Sequence, residues 1–371
     1  MKNIHVRQTN FELLRIISMA MIISLHYLGK GEILNNVHIG TTSYYFAWII
    51  ESGCYIAVNC YVLITGYFMI NSQFKLEKLL MLWLQVVFVM VGSYLILCIC
   101  GMADFNIKEF ISNFFPITLE KYWFVTVYFQ LYLLSPILNI IIKMFERQQL
   151  KKVIFLMLIL FCVLPNIFFQ WDYMKVCGGY SLWWFLVLYL VAAYIRLYLK
   201  EFHYIKIIFG YLISTLLLVA SKFIPAVLTE KLSGTIQYDA IFFNYNSVLV
   251  FMASLCFFLF FMQVNIKSII LNRIILFFSP LTFGVYLLHE CSNYRDYMWK
   301  KINPLQYLGN SKLVLHYIIS VTALFLCCSL IEYMRKEIFK KLNISGILKS
   351  ISKKMGNLGE KFFQNKWIRT I

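Results

Sequence analysis

The chain has 371 residues, 61% of them hydrophobic and 14% charged, with a mean hydropathy of +0.73. A soluble globular domain carries about 45–50% apolar and ~25% charged residues, so this composition excludes one and describes an all-α, polytopic helical bundle in a membrane. The formal charge of +17, from 34 Lys+Arg against 17 Asp+Glu, would be a phosphate footprint on a nucleic-acid binder; around apolar spans it reads as the Lys/Arg excess of cytoplasmic loops, and no nucleic-acid partner is expected.

Lys2 and Arg7 precede an apolar run over 11–29 of about signal-peptide length. No small-residue cleavage site follows in HYLGKGEILNN, so an uncleaved first span is expected. It carries Arg15 and His26, eleven positions apart. At about 100° per residue the pair closes to within roughly 20° of three full turns, which puts both on one helix face, about 16 Å apart along the axis. Ionisable groups inside a span are costly and mark functional sites by default. Three readings of Arg15 stand: snorkelling to the inner surface, pairing with Glu12 at i, i+3, or anchoring a phosphorylated donor. His26 is a hydrogen-bonded core histidine or a general base whose ordinary pKa lies near neutrality.

Nine further runs of about 20 apolar residues follow, over 44–70, 79–100, 122–143, 153–170, 181–199, 205–224, 241–262, 271–290 and 312–334. The second contains Glu51, with Gly53 and Gly66. Lys75 and Lys78, at i, i+3 before the third, are inner-surface decoration or part of a phosphate clamp with Arg15. The fourth opens on Tyr122 and Trp123 and contains Pro136. The ninth contains Pro280 and Gly284 and ends on His289 and Glu290, neighbours that do not face each other on a helix. Glu51 or Glu290 is a candidate to orient His26 from another helix, and spacing leaves open which. His289 is a core residue or a substrate contact. Tyr44, Tyr45, Trp48, Tyr122, Trp123, Trp171, Tyr173, Trp183 and Trp184 cluster near one end of the spans, as an interfacial belt or, for some, as sugar platforms.

With the N-terminus inside, 23 of the 34 basic residues fall on cytoplasmic segments and ten outside, Arg15 completing the count. Both termini are therefore expected in the cytoplasm. The membrane domain is expected to end at 334, with 335–371 forming a basic cytoplasmic tail. There Ile344, Ile347, Leu348 and Ile351 recur at helical spacing between lysines, as in a helix resting on anionic lipid. No second soluble domain is expected. Most of the ten cysteines lie in apolar runs, without C-x-x-C or zinc-type spacing, so packing roles and no metal are expected. Nucleophile-elbow, Walker-type, dinucleotide and zincin motifs are absent.

These residues resemble membrane-bound acyltransferase family 3, which includes bacterial polysaccharide O-acetyltransferases. The family's opening helix has a basic residue, ten intervening positions and a His, matched by Arg15 and His26 in FELLRIISMAMIISLHY. VNCYVLITGYFMI is similar to its aromatic-rich second span, with Thr65 in the place of a Ser. YWFVTVYFQLYLLSPILN and SPLTFGVYLLHE look like its fourth and late spans. Where members often have Arg-x-x-Arg before the third span, this chain has Lys75 and Lys78, which keep the charge and lose the bidentate fork. The resemblance covers 11–334. It implies transfer of an acyl group, usually acetyl from cytoplasmic acetyl-CoA, to a sugar hydroxyl of a surface polysaccharide or lipid-linked glycan at the cell membrane. Arg15, Lys75 and Lys78 are then expected on the coenzyme and His26 at the transferred group. Glu51, Tyr122, Trp123, His289 and Glu290 are expected near the acceptor. A glycan flippase, transporter or polymerase is the rival reading, since ten spans and a polar track would serve it too. Oligomeric state is not legible.

Overall fold

The computed structural model describes residues 8–366 apart from 173, 200–202 and 236–237, with side chains described to residue 356 save that of residue 233. Lys2, Arg7, Tyr173, Lys200 and residues 367–371 lie outside the described residues. Regular structure among those described is entirely helical. The principal helices are α1 (Thr9–Gly29), α2 (Thr42–Cys54), α3 (Ala57–Met69), α4 (Leu76–Ile99), α5 (Trp123–Met144), α6 (Arg147–Leu158), α7 (Leu182–Tyr198), α8 (Tyr204–Ser233), α9 (Val248–Gln263), α10 (Ile269–Phe278), α11 (Thr282–His289), α12 (Arg295–Ile302), α13 (Leu313–Lys341) and α14 (Ile344–Lys366). Among the described residues, eight helical stretches are long and apolar enough to cross a membrane; α7 and α9, at two further predicted positions, are apolar but shorter. The protein is a polytopic helical bundle.

Several spans are broken where the sequence carries a breaker or a polar demand. The second unwinds for two residues at Tyr55 and Ile56, dividing α2 from α3. α6 passes through a π-helical turn at Ile159–Val163 before a last α-turn at Leu164–Ile167. Pro280 sits in the 3₁₀ turn Ser279–Leu281 between α10 and α11, where Ser279 donates a hydrogen bond to the Glu12 carboxylate of α1. Inside α5, Pro136 cannot donate to the Tyr132 carbonyl. The Ser135 hydroxyl takes up that acceptor at 2.7 Å, the local repair that lets proline persist in an apolar helix.

α1 is the central element. Phe11 and Leu14 belong to one buried cluster, with α3, α5, α7 and α9. Met19, Ile22 and Ile23 belong to a second, with α4, α5 and α11. Tyr27 and Leu28 join a third, with Ala47, Trp299 and Leu313. A helix apolar nearly all round is explained by such enclosure. α3 and α7 approach closely because Gly66 faces Ala192: a Cβ at Gly66 would lie 2.9 Å from the Tyr189 Cα and 3.0 Å from the Ala192 Cβ. Small residues at helix crossings drive packing in lipid, where no hydrophobic force separates helix from solvent.

The expected domain boundary at 334 falls inside α13, which continues to Lys341. Arg335, read as the start of a solvated tail, is buried and forms a two-pronged pair with Glu332 at 2.8 and 2.6 Å. α14 packs back against α4, burying Leu348. All ten cysteines are free thiols, six of them buried. Within the aromatic group read as a belt, Tyr44, Tyr122 and Trp184 are core residues, because Trp184 donates its indole N–H to Asn59 at 3.0 Å and Tyr122 its hydroxyl to the Leu287 carbonyl at 2.8 Å.

The α3–α7 contact yields a stability prediction. Gly66→Ala is expected to destabilise the protein by about 1–3 kcal/mol through overpacking against backbone. Gly92→Ala, with nothing within 4 Å of the added carbon, should not. Thermal unfolding of the detergent-solubilised protein checks both; equal midpoints would show that the crossing is slack.

Candidate active site

Along α1, Arg15, Met19, Ile22, His26 and Lys30 recur every third or fourth residue, and all five line one cavity of about 580 Å³. The cavity runs from Phe68 and Met69, at the end of α3 near Arg15, to Lys30 beyond His26. The basic group and the imidazole thus share a corridor, as their spacing predicts. The remaining wall comes from α2 and α3 (Glu51, Tyr55, Tyr61, Thr65), α5 (Trp123, Phe124, Tyr128), α11 (Tyr286, followed by Glu290) and two loop tyrosines, Tyr180 and Tyr245.

The surroundings of His26 fix its tautomer. His289 Nδ1 lies 2.6 Å from the Val285 carbonyl, which can only accept, so this nitrogen carries the proton. In neutral His289 the other nitrogen, Nε2, is then an acceptor. It lies 2.9 Å from His26 Nδ1, which must therefore be the donor. Neutral His26 keeps its Nε2 lone pair free. His289 itself is fully buried and off the cavity wall; it acts on His26 from behind. Glu290 is the second neighbour, with Oε2 3.3 Å from His26 Nδ1. Its other oxygen accepts a 2.7 Å hydrogen bond from Arg295 Nη1, and Arg295 is braced in turn by Asp296 at 3.0 Å. A carboxylate pinned by an arginine beside the imidazole favours any positive charge that arises there.

At the other end, Arg15 Nε is 4.0 Å from Glu12 Oε2, and the Tyr61 hydroxyl donates to the Arg15 carbonyl at 2.7 Å. The Arg15 Nε is sealed from solvent and makes no hydrogen bond. The pairing with Glu12 and the cavity-facing role therefore coexist. Lys75 and Lys78 are exposed and lie off the cavity wall. The Tyr132 hydroxyl is 3.2 Å from both the N–H and the carbonyl of Lys75, one helical turn from the wall residue Tyr128, so the Lys75–Lys78 segment flanks the Arg15 end.

Of the residues expected near an acceptor, Glu51, Trp123 and Glu290 line the cavity; His289 and Tyr122 do not. Tyr122 braces α11 instead, through the Leu287 carbonyl. Tyr55, Tyr180, Tyr245, Tyr286 and Arg295 were not singled out by the sequence. Tyr180 and Tyr245 come from loops 65 positions apart, and no periodicity or motif marks either.

The tautomer assignment predicts selective chemistry. Diethylpyrocarbonate, which attacks unprotonated imidazole nitrogen, is expected to modify His26 through the cavity and to spare His289. Peptide mass mapping reads this directly. Equal modification of the two rings would break the assignment.

A family model described as an acyltransferase domain matches residues 8–333. No curated protein and no solved structure matches the chain.

Proposed function

The chain belongs to acyltransferase family 3, and from that premise we propose that it moves an acetyl group from cytoplasmic acetyl-CoA to a sugar hydroxyl of a surface polysaccharide or lipid-linked glycan, at the cytoplasmic membrane. The observation that carries this reading is the shared cavity, with a cation near one end and an imidazole with a free Nε2 toward the other.

Arg15 takes an anionic group of the coenzyme, and Lys75 and Lys78 receive its phosphates at the flanking surface. Lysine holds phosphate as a point charge without arginine's fork, so long-range attraction rather than fixed geometry is their contribution. The acyl thioester then lies along the corridor toward His26. As the acceptor oxygen attacks the thioester carbonyl carbon, its proton passes to His26 Nε2. The imidazolium so formed is stabilised by Glu290 and by the Nδ1–H bond to His289. The tetrahedral intermediate carries its negative charge on the former carbonyl oxygen; Tyr286, which presents a buried hydroxyl on the wall, is the donor suited to it. Collapse breaks the C–S bond, and the departing sulfur takes the proton from His26. The same lone pair would serve a transient acyl-imidazole, with Glu290 and His289 in the same supporting places. No other partner or permanent cofactor enters this reading; the basic segment from Arg335 onward is taken to meet anionic lipid through its exposed lysines.

His26→Ala is expected to lower transfer by about 10²- to 10⁴-fold in protein that still inserts. Tyr286→Phe should lower kcat with little change in KM, and Arg15→Ala should chiefly raise the KM for acetyl-CoA. Release of coenzyme thiol by the reconstituted protein measures all three. In cells, mass spectra of surface glycan from a deletion strain should lose an acetyl mass while polymer is still exported. Loss of the polymer itself would favour a flippase or polymerase, and wild-type acetylation in a His26→Ala strain would end the proposal.

A further inference from the structure

Glu51 is more than nine-tenths buried, lines the cavity, and has its Oε2 sealed off with no hydrogen-bond partner. A buried polar atom left unpaired is destabilising, a cost that a ligand group can remove. Three tyrosines, Tyr55, Tyr180 and Tyr245, line the same cavity as Glu51. With Trp123 they form one continuous aromatic surface. Ring centroids are 4.5 Å apart for Trp123–Tyr180, 4.9 Å for Tyr180–Tyr245, 5.0 Å for Tyr55–Tyr245 and 5.9 Å for Trp123–Tyr245.

The surface is held rigidly. Asn59, fully buried on α3, donates to the Tyr245 carbonyl at 2.8 Å and accepts from the Trp184 indole. The Tyr245 N–H donates to the Gly178 carbonyl at 2.9 Å. Gly179, at φ +91, brings the Tyr180 loop so close that a Cβ there would lie 2.7 Å from the Tyr245 Cβ. Asp172 closes the same loop by accepting from the N–H groups of Val176 and Cys177, both at 2.8 Å.

An aromatic surface and an unpaired carboxyl group on one cavity wall match the two sides of a sugar ring, C–H face and hydroxyl rim. An acyl chain would leave Glu51 unpaired. An ammonium ligand would add a second cation beside Lys222, whose charge already acts on Glu51; Lys222 is itself engaged by Asp239 at 2.6 Å and by the Trp48 ring at 3.4 Å. We propose that Glu51, with Tyr55, Trp123, Tyr180 and Tyr245, forms the acceptor subsite, seating a neutral pyranose whose hydroxyls bond to Glu51 while the aromatic surface carries the ring. The catalytic consequence rests on the acyl-transfer reading given above; the binding does not.

The test is saturation-transfer NMR on the full chain in lipid nanodiscs, titrated with the methyl glycosides of glucose, galactose and N-acetylglucosamine. At least one should bind saturably. His26→Ala should bind it as the wild type does, Glu51→Ala should weaken it at least about tenfold, and the isosteric Glu51→Gln should weaken it less. No saturable binding by any of the three overturns the subsite, and so does unchanged binding in both Glu51 variants. Parallel assays of thiol release from acetyl-CoA separate the two claims. Glu51-dependent binding without glycoside-stimulated release leaves the subsite standing and removes acyl transfer. Stimulated release that is equal in wild type and both Glu51 variants does the reverse.

Discussion

A polar atom inside an apolar bundle must find a partner or face a cavity, and that constraint organises this protein. Backbone groups meet it through helices, including the repair of the Pro136 gap by Ser135. Side chains meet it by convergence. His289 satisfies its Nδ1 on the Val285 carbonyl one turn back in its own helix. The proton on His26 Nδ1 is thereby committed, and the Nε2 lone pair is what remains. A carbonyl on α11 thus sets the protonation of a nitrogen on α1. Among the buried side-chain atoms without a hydrogen-bond partner are Arg15 Nε, Glu51 Oε2, the Tyr286 hydroxyl and Glu290 Oε2, and these four side chains lie on the cavity wall; others, such as the hydroxyls of Ser18, Tyr44 and Ser329, lie off it. Elsewhere, polar groups of comparable burial such as Asn59, Gln85 and Glu332 are paired.

The placement of α11 shows how remote packing serves this site. α11 carries Tyr286 and His289 and delivers Glu290 at its end. Its back rests on α13, where Gly284 lets the Glu332 side chain approach so closely that a Cβ would lie 2.2 Å from its carboxyl carbon. Glu332 is held by Arg335 and by Gln85 of α4, the latter at 3.1 Å, and the Arg335 guanidinium lies 4.5 Å from the Phe339 ring centre. Breaking one partner of such a buried pair would leave an uncompensated charge. The contact therefore specifies where α11 sits more than it adds net stability. On the other side, Tyr122 fixes the Leu287 carbonyl. α11 is held from α13 and from Tyr122 at the start of α5 at once, and the face that carries His289 is left for α1.

How much of this was legible in the sequence follows from what each feature depends on. The helical stretches were, because apolar run length is a local property, and so was the common face of Arg15 and His26, because helix geometry is fixed. The carboxylate beside His26 was narrowed to Glu51 or Glu290, and the fold brings Glu290 against the ring while Glu51 stands elsewhere on the wall without a partner. That choice depends on the 3₁₀ turn at Pro280 and on how α11 leans, which no spacing rule contains. Arg335 was misread as solvated because its partner Glu332 lies one turn away across a boundary drawn from hydropathy alone. Tyr180 and Tyr245 were invisible for a different reason: they sit on loops whose meeting is decided by Asn59 and by the left-handed backbone at Gly178 and Gly179.

The division of the cavity follows from the same constraint. The Arg15 end has its charge near the corridor and two more cations, Lys75 and Lys78, at the flanking surface, an arrangement for a large anion most of which stays outside. Two cations close to the wall around Glu51 are engaged, Lys222 by Asp239 and Trp48 and Arg295 by Glu290 and Asp296, while Lys30 lines the cavity beyond His26. On the proposed reading the anionic coenzyme meets the Arg15 end, and the neutral sugar meets the wall around Glu51. On the same reading the charge on His26 is transient, and a neutral tautomer with a carboxylate 3.3 Å away suits that role. On the proposed mechanism, replacing Glu290 by an uncharged residue would leave the resting ring intact and remove support from its protonated form, an effect on the transition state rather than on binding.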